Sequence, residues 1–217
     1  MSLRVKLEVL AASMEAAGGV GRPTADGVMA QLISEEERAR PLKVGDLAPA
    51  FTLPAYGGAR ASSTEFLKGG PLVVTFYRGL WCPYCQRDLQ GVADAIERMK
   101  KLDASVVAVS RPRSPGSDSP SDHKLTLGFP LLEDTAGDVA VQFGIRWSAE
   151  DSRLIETALG LDLATFRGTK PWIIPMQARF VIDRQGIVAF AEVAFDYDER
   201  SEPADLVPLL VRLQRGE

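Results

Sequence analysis

The chain has 217 residues, 46% of them hydrophobic and 25% charged, which is enough to bury a substantial core as one large or two small domains. Its formal net charge of −4 gives no reason to expect nucleic acid or an anionic membrane as a partner, and no apolar run approaches the roughly 20 residues that cross a bilayer. The first ten residues, Met1-Ser-Leu-Arg-Val-Lys-Leu-Glu-Val-Leu10, lack the continuous apolar core of a signal peptide, and two cysteines make no secreted disulfide framework, so a cytoplasmic protein is expected.

Residues 1–41 read as a helical extension added to a domain spanning residues 42–217. Leu3, Leu7 and Leu10, with Val9 and Met14, recur at helical spacing, and Gly18-Gly19 ends that helix. Thr24 is placed to cap a second helix carrying Val28, Met29, Leu32 and Ile33, which Pro41 closes. Two uses stay open for these helices: packing on the domain's own surface, and forming a homodimer interface.

Within the domain, residues 44–51 are a connection and residues 54–58 a turn. Ser62-Ser63-Thr64-Glu65-Phe66-Leu67 fits a single capped helical turn closed by Gly69-Gly70. Residues 72–77 form a continuous apolar run rich in β-branched side chains, as a central parallel strand requires. A helix follows from Pro83 to about Leu102. Along it Cys85, Leu89, Val92, Ile96 and Met99 recur at spacings of four, three, four and three, one apolar stripe. Gln86, Arg87, Asp88, Gln90, Asp94, Glu97, Arg98 and Lys100 fall on the other sides and are expected to face solvent. Residues 105–110 supply the next buried strand and complete a β-α-β unit with a right-handed crossover.

Residues 111–122, rich in Pro, Ser and Gly, are a loop. Residues 129–132 fit a short strand, and residues 134–143 a helix with Val139 and Phe143 on one side. Ser148 caps a further helix over residues 148–159, with Gly160 beyond its end. After an irregular stretch at 161–172, residues 179–182 and 187–193 make a hairpin about Arg184-Gln185-Gly186. Leu206, Leu209, Leu210 and Leu213 mark a closing helix over residues 203–213. That order of elements predicts an α/β protein with a central mixed sheet flanked by helices.

Chemistry concentrates at Trp81-Cys82-Pro83-Tyr84-Cys85. Pro83 suits the first turn of a helix, which puts Cys82 at or near the N-cap and Cys85 one turn in, on the buried face. A helix N-terminus stabilises the thiolate, the reactive form, and Cys82 is expected to be the better exposed of the two. Cysteines at this spacing can cycle between dithiol and disulfide. A structural zinc site needs about four ligands, and the chain offers two cysteines with His123 far away in sequence, so no metal is expected. Two inert core cysteines are the bland alternative; a C-x-x-C beside a β-α-β pattern favours redox chemistry.

The run Phe76-Tyr77-Arg78-Gly79-Leu80-Trp81-Cys82-Pro83-Tyr84-Cys85 resembles the active-site segment of the AhpC/TSA (alkyl hydroperoxide reductase/thiol-specific antioxidant) family, the peroxiredoxin-like branch of the thioredoxin superfamily. Val44-Gly-Asp-Leu-Ala-Pro-Ala-Phe-Thr-Leu-Pro54, Phe180-Val-Ile-Asp-Arg-Gln-Gly186 and Val193-Ala-Phe-Asp-Tyr-Asp198 support the likeness, which covers residues 42–214. It implies a thioredoxin-like fold with insertions and a peroxidase acting on hydroperoxides without a cofactor. The reductant it implies is of the thioredoxin or glutaredoxin type. Two further readings stay open: a protein thiol–disulfide oxidoreductase, and a non-enzymatic redox-sensing module.

The likeness also leaves the roles of the sulfurs open. Peroxiredoxins carry Pro-x-x-x-Thr/Ser-x-x-Cys; laid on the Phe-Tyr lead-in, the proline falls on Arg78, the threonine on Cys82 and the attacking cysteine on Cys85. Thioredoxin-like oxidoreductases attack with the first cysteine of Trp-Cys-x-x-Cys, here Cys82. Arg78 is either a positive charge that lowers a thiol pKa or a solvated loop residue. Gln177 stands where thioredoxin relatives carry a cis-proline and peroxiredoxins an arginine, and it can hydrogen-bond a peroxide or a partner's backbone. Arg179 is expected to point away from the face that Phe180 occupies. Trp81 and Tyr84 are candidates for an apolar rim around the sulfurs. His123 reads as a loop residue, and Asp196 and Asp198 as surface groups.

Overall fold

The computed structural model describes residues 40–56, 58–80, 82–112, 127–147, 174–194 and 200–217, with the separate positions Val5, Val9, Ala12, Ser13 and Ala16. The second N-terminal helix, Trp81, His123, the expected helix at 148–159, and Asp196 and Asp198 lie outside the described residues. Val5, Val9, Ala12, Ser13 and Ala16 are helical and exposed, in keeping with the first helix of the extension.

The elements run β1 (Thr52–Pro54), β2 (Arg60–Ser62), α1 (Ser63–Gly69), β3 (Leu72–Phe76), α2 (Pro83–Lys100), β4 (Ser105–Ser110), β5 (Leu131–Glu133), α3 (Asp138–Gln142), β6 (Arg146–Trp147), β7 (Ile174–Pro175), β8 (Gln177–Ile182) and β9 (Val188–Ala194). A 3-10 turn (Pro203–Leu206) then runs into α4 (Val207–Arg215). β5, β4, β3, β8 and β9 form one sheet in that order. β4 lies parallel to both β3 and β5, whereas β8 runs antiparallel to β3 and β9 antiparallel to β8. β3 is buried along its whole length, which explains its run of apolar and β-branched residues, with Thr75 the one polar member.

Alternation along β3 divides the core. Leu72, Val74 and Phe76 face one side, with Val107, Val109, Phe180, Ile182, Phe143 and Ile145. There the Phe143 ring lies 5.0 Å from that of Phe76 and 5.1 Å from that of Phe180. Val73 faces the other side and meets Val106, Val181, the α2 residues Val92, Ala95, Ile96 and Met99, and Leu210 of α4. The apolar stripe read from the sequence is therefore the buried face of α2. Among the described residues no helix is long and apolar enough to cross a membrane.

Several boundaries differ from expectation. The helix expected over residues 134–143 is shorter, because the Asp134 carboxylate turns back to accept the Ala140 N–H at 3.0 Å and Gly137 adopts φ 78. Hydrogen bonds from Gly45 N–H to Val188 O (2.9 Å) and from Ala48 N–H to Gly186 O (2.8 Å) lace the stretch at 44–51 to the start of β9. β8 begins at Gln177, two residues before the expected start, and this bears directly on the site.

Gly144 closes the turn after α3 at φ 68, and a Cβ there would lie 1.9 Å from the carbonyl oxygen of Arg40. Both the left-handed backbone and the close approach demand glycine. Gly144→Ala is expected to cost about 1–3 kcal/mol in urea unfolding. An unchanged midpoint would show that the segment at 40–42 does not dock there.

Candidate active site

The carboxyl end of β3 passes through Tyr77 and Arg78 into the loop that leads to α2. Cys82 is the N-cap of that helix: its backbone is extended (φ −86, ψ 112), and Pro83 opens the first turn. Its Sγ accepts the Cys85 N–H at 3.4 Å, so the sulfur occupies the position of a capping oxygen at the positive end of an 18-residue helix. Cys85 lies one turn on, on the buried stripe, as the spacing requires. Both thiols are free.

Cys82 is the less buried of the two, as expected, but by a narrow margin, and neither sulfur is open to solvent. Cys82 is only 2% exposed and Cys85 fully buried, because Tyr77, Leu80, Leu89, Ala108 and Leu127 close around the pair. Tyr84 packs against the same cluster, half-buried. Arg78 is 3% exposed, so a solvated loop arginine is ruled out.

The two sulfurs are driven apart in acidity. Burial pushes the Cys82 thiol up, but four influences outweigh it and bring it down to about 7: the hydrogen bond donated by the Cys85 thiol, the charge of Arg78, the Cys85 N–H and the charge of Arg200. Cys85 is pushed well above the ordinary thiol value by burial, by its own donation to Cys82 and by the negative charge that Cys82 acquires. Near neutrality the Cys82 thiol is thus in mid-titration at the N-cap, beside a Cys85 thiol that keeps its proton.

Gln177 belongs to the site. From the first position of β8 its Nε2 donates to the Cys85 sulfur, while its Oε1 is buried with no hydrogen-bond partner among the described residues. No cis peptide bond occurs among the described residues, including Pro175 and Gln177. No group of three or more His, Cys, Asp and Glu side chains among them could hold a metal ion.

Asp88 was expected in solvent and is 1% exposed. Its Oδ1 lies 2.5 Å from Nη2 of Arg179, and its Oδ2 lies 2.6 Å from Nη1 of Arg200. Arg179 does point away from the Phe180 face, but that opposite face is covered by α2, so its guanidinium is buried too. Burial pushes the Asp88 carboxyl up, and the charges of Arg179 and Arg200 more than reverse this, holding it below the usual carboxylate range. One signal was available in the sequence: three residues after Cys85, Asp88 sits between Cys85 and Val92 on the buried stripe.

The AhpC/TSA family model matches residues 44–191. Peroxiredoxin Bcp of Escherichia coli (strain K12) is 34% identical over 126 residues, covering 58% of this chain and 78% of that protein. Peroxiredoxin Q, chloroplastic, of Gentiana triflora is 34% identical over 106 residues, 46% of each chain. The crystal structure of peroxidoxin BcpB from Mycobacterium tuberculosis is 25% identical and superposes with a TM-score of 0.57, covering 79% of this chain and 97% of that one. With the five-stranded mixed sheet, that likeness bears out the expected thioredoxin-like α/β fold.

Proposed function

The chain belongs to the AhpC/TSA family, and from that premise we propose a thiol-dependent peroxidase in which Cys82 attacks the hydroperoxide and Cys85 resolves the product. The observation that carries this division of labour is the Cys82 sulfur at the N-cap, where it accepts the Cys85 N–H with Cys85 one turn behind it; that setting brings the Cys82 thiol down to about 7 and leaves the Cys85 thiol raised. The Cys82 thiolate attacks the terminal oxygen of the hydroperoxide. The O–O bond breaks, a sulfenic acid forms on sulfur, and the departing alkoxide takes up a proton to leave as an alcohol. Cys85 then attacks the Cys82 sulfur, and the hydroxide it expels leaves as water with the Cys85 proton, closing a disulfide.

Supporting roles follow from position. The unpartnered Oε1 of Gln177 suits the O–H of an incoming hydroperoxide, and the Arg78 guanidinium suits the charge that develops on the leaving oxygen. Trp81 and Tyr84 are assigned to the apolar rim. The disulfide must be reduced in every turnover, for which a thioredoxin- or glutaredoxin-type dithiol and a reducing compartment such as the cytoplasm are the fitting supply. Residues 1–41 are assigned to an extension outside the catalytic domain. The exposed Val5 and Val9 give it apolar surface that a second copy can cover; a monomeric mass in solution would remove that use.

A second reading, protein thiol–disulfide exchange, has one observation in its favour. Arg78 and Cys82 stand where peroxiredoxins place their proline and hydroxyl, and a low-pKa N-cap cysteine with its partner one turn on also suits dithiol exchange. Insulin reduction outpacing peroxide reduction would put it first. On the peroxidase reading, the rate constant for peroxide consumption rises about tenfold between pH 6 and pH 8 and flattens above, following the thiolate fraction of Cys82. A rate equal to that of the protein with both cysteines replaced by serine would sink it.

A further inference from the structure

We propose that Arg200 is a positioning residue for the reactive sulfur pair, held in place by a buried charge clamp made with Asp88, Arg179 and Glu192. These four residues come from α2, β8, β9 and the segment that leads into α4, so the clamp ties the C-terminal part of the chain to the first turns of the catalytic helix.

The geometry is closed. Asp88 lies three residues after Cys85, on the same face of α2, and divides its carboxylate between two guanidiniums: Arg179 at 2.5 Å and Arg200 at 2.6 Å. Arg179 pairs in register with Glu192 across β8 and β9, with its Nη1 at 3.8 Å from Oε2 of Glu192. The same Nη1 donates to the carbonyl oxygen of Ser201 at 3.2 Å, and Oε1 of Glu192 accepts the Ser201 N–H at 2.7 Å. Both backbone polar groups of Ser201 are thus tied down, which fixes the direction in which the preceding Arg200 side chain enters the interior.

Two carboxylates and two guanidiniums balance formally, which is the condition under which four charges tolerate burial. Arg200, with its side chain 5% exposed, lines one small cavity with Asp88 and Gln177, and Gln177 donates to the Cys85 sulfur, so the guanidinium charge is held beside the sulfur pair and favours the thiolate there. The other groups facing the pair are Arg78 from the loop after β3, Tyr77 and Tyr84 in the surrounding cluster, Gln177 from β8, and Asp88 one turn along the helix. Glu192 has no contact with either sulfur among the hydrogen bonds and ion pairs of the described residues; its influence on them runs through Ser201 and Arg200.

The inference rests on the thiolate chemistry proposed above. Its test reads the thiolate and not turnover, so failure of the clamp and failure of the peroxidase reading are distinguishable. The full-length reduced protein is titrated by ultraviolet thiolate absorbance, with alkylation assigned to Cys82 or Cys85 by tandem mass spectrometry. Arg200→Gln is expected to raise the Cys82 midpoint by about half a unit to one unit. Glu192→Gln discriminates by sign. It deletes a negative charge, which through space alone would lower the midpoint, whereas loss of positioning raises it. A rise in both variants supports the clamp. A midpoint unmoved in Arg200→Gln, or one that stays or falls in Glu192→Gln, overturns it. Should Arg200→Gln fail to fold, Glu192→Gln, whose carboxylate is partly exposed, decides alone.

Discussion

Cys82→Ser is expected to abolish peroxide consumption, a loss of roughly a thousandfold or more, because a serine hydroxyl carries no anion at neutral pH and the helix end has nothing to activate. Cys85→Ser is expected to behave differently. The serine hydroxyl can still donate to the Cys82 sulfur, so the first attack survives within about tenfold. Resolution does not, and the variant consumes one equivalent of peroxide and stops with the sulfenic acid on Cys82. A sulfenic-acid trap followed by mass spectrometry separates the two roles. An adduct on Cys85 in the Cys82→Ser protein, with continued peroxide attack, would reverse the assignment and restore the role that the peroxiredoxin motif gives to Cys85. The physical case for Cys82 is that it sits at the N-cap with its acidity raised, whereas Cys85 is buried deeper and donates its proton toward its neighbour.

What the sequence carried about this site was whatever is decided locally. Pro83 at the first helical position, the 3.6-residue stripe behind Cys85 and the β-branched run before them each depend on neighbours within a turn or a strand, and each was legible. Burial of Cys82 depends on Leu127 and Ala108, which approach from other parts of the chain. No local pattern announces that. The charge clamp was hidden for a related reason. An aspartate and an arginine are each read as solvated when taken singly, and Asp88 and Arg179 lie 91 residues apart in sequence. Once β8 crosses α2, both side chains enter the same interior, and each makes the burial of the other tolerable. The pairs β1–β2 and β6–β7 were missed because strands of two or three residues are too short to show alternation.

Asp88→Asn is expected to be the most destabilising single change in the catalytic helix, costing about 3–5 kcal/mol at neutral pH. It leaves two buried guanidiniums facing a neutral amide, with only the more distant Glu192 to offset them. The pH dependence gives this prediction a second edge. The Asp88 carboxyl is held below its ordinary value in the folded protein, so its contribution is fully present above the unfolded value of about 3.9 and is lost as pH falls through the folded value. The stability difference between the parent and Asp88→Asn should therefore be flat from pH 8 to pH 5 and should shrink only in acid below about pH 4. Urea unfolding at a series of pH values measures it directly. A difference that closes already at pH 6 would mean that another group carries the effect. A double-mutant cycle with Arg179→Gln completes the argument, since losses that add within about 0.5 kcal/mol would show that the two charges do not share one site. The expected result is strong non-additivity: once either partner of a buried pair is gone, the other is already an uncompensated charge, and removing it relieves part of the damage.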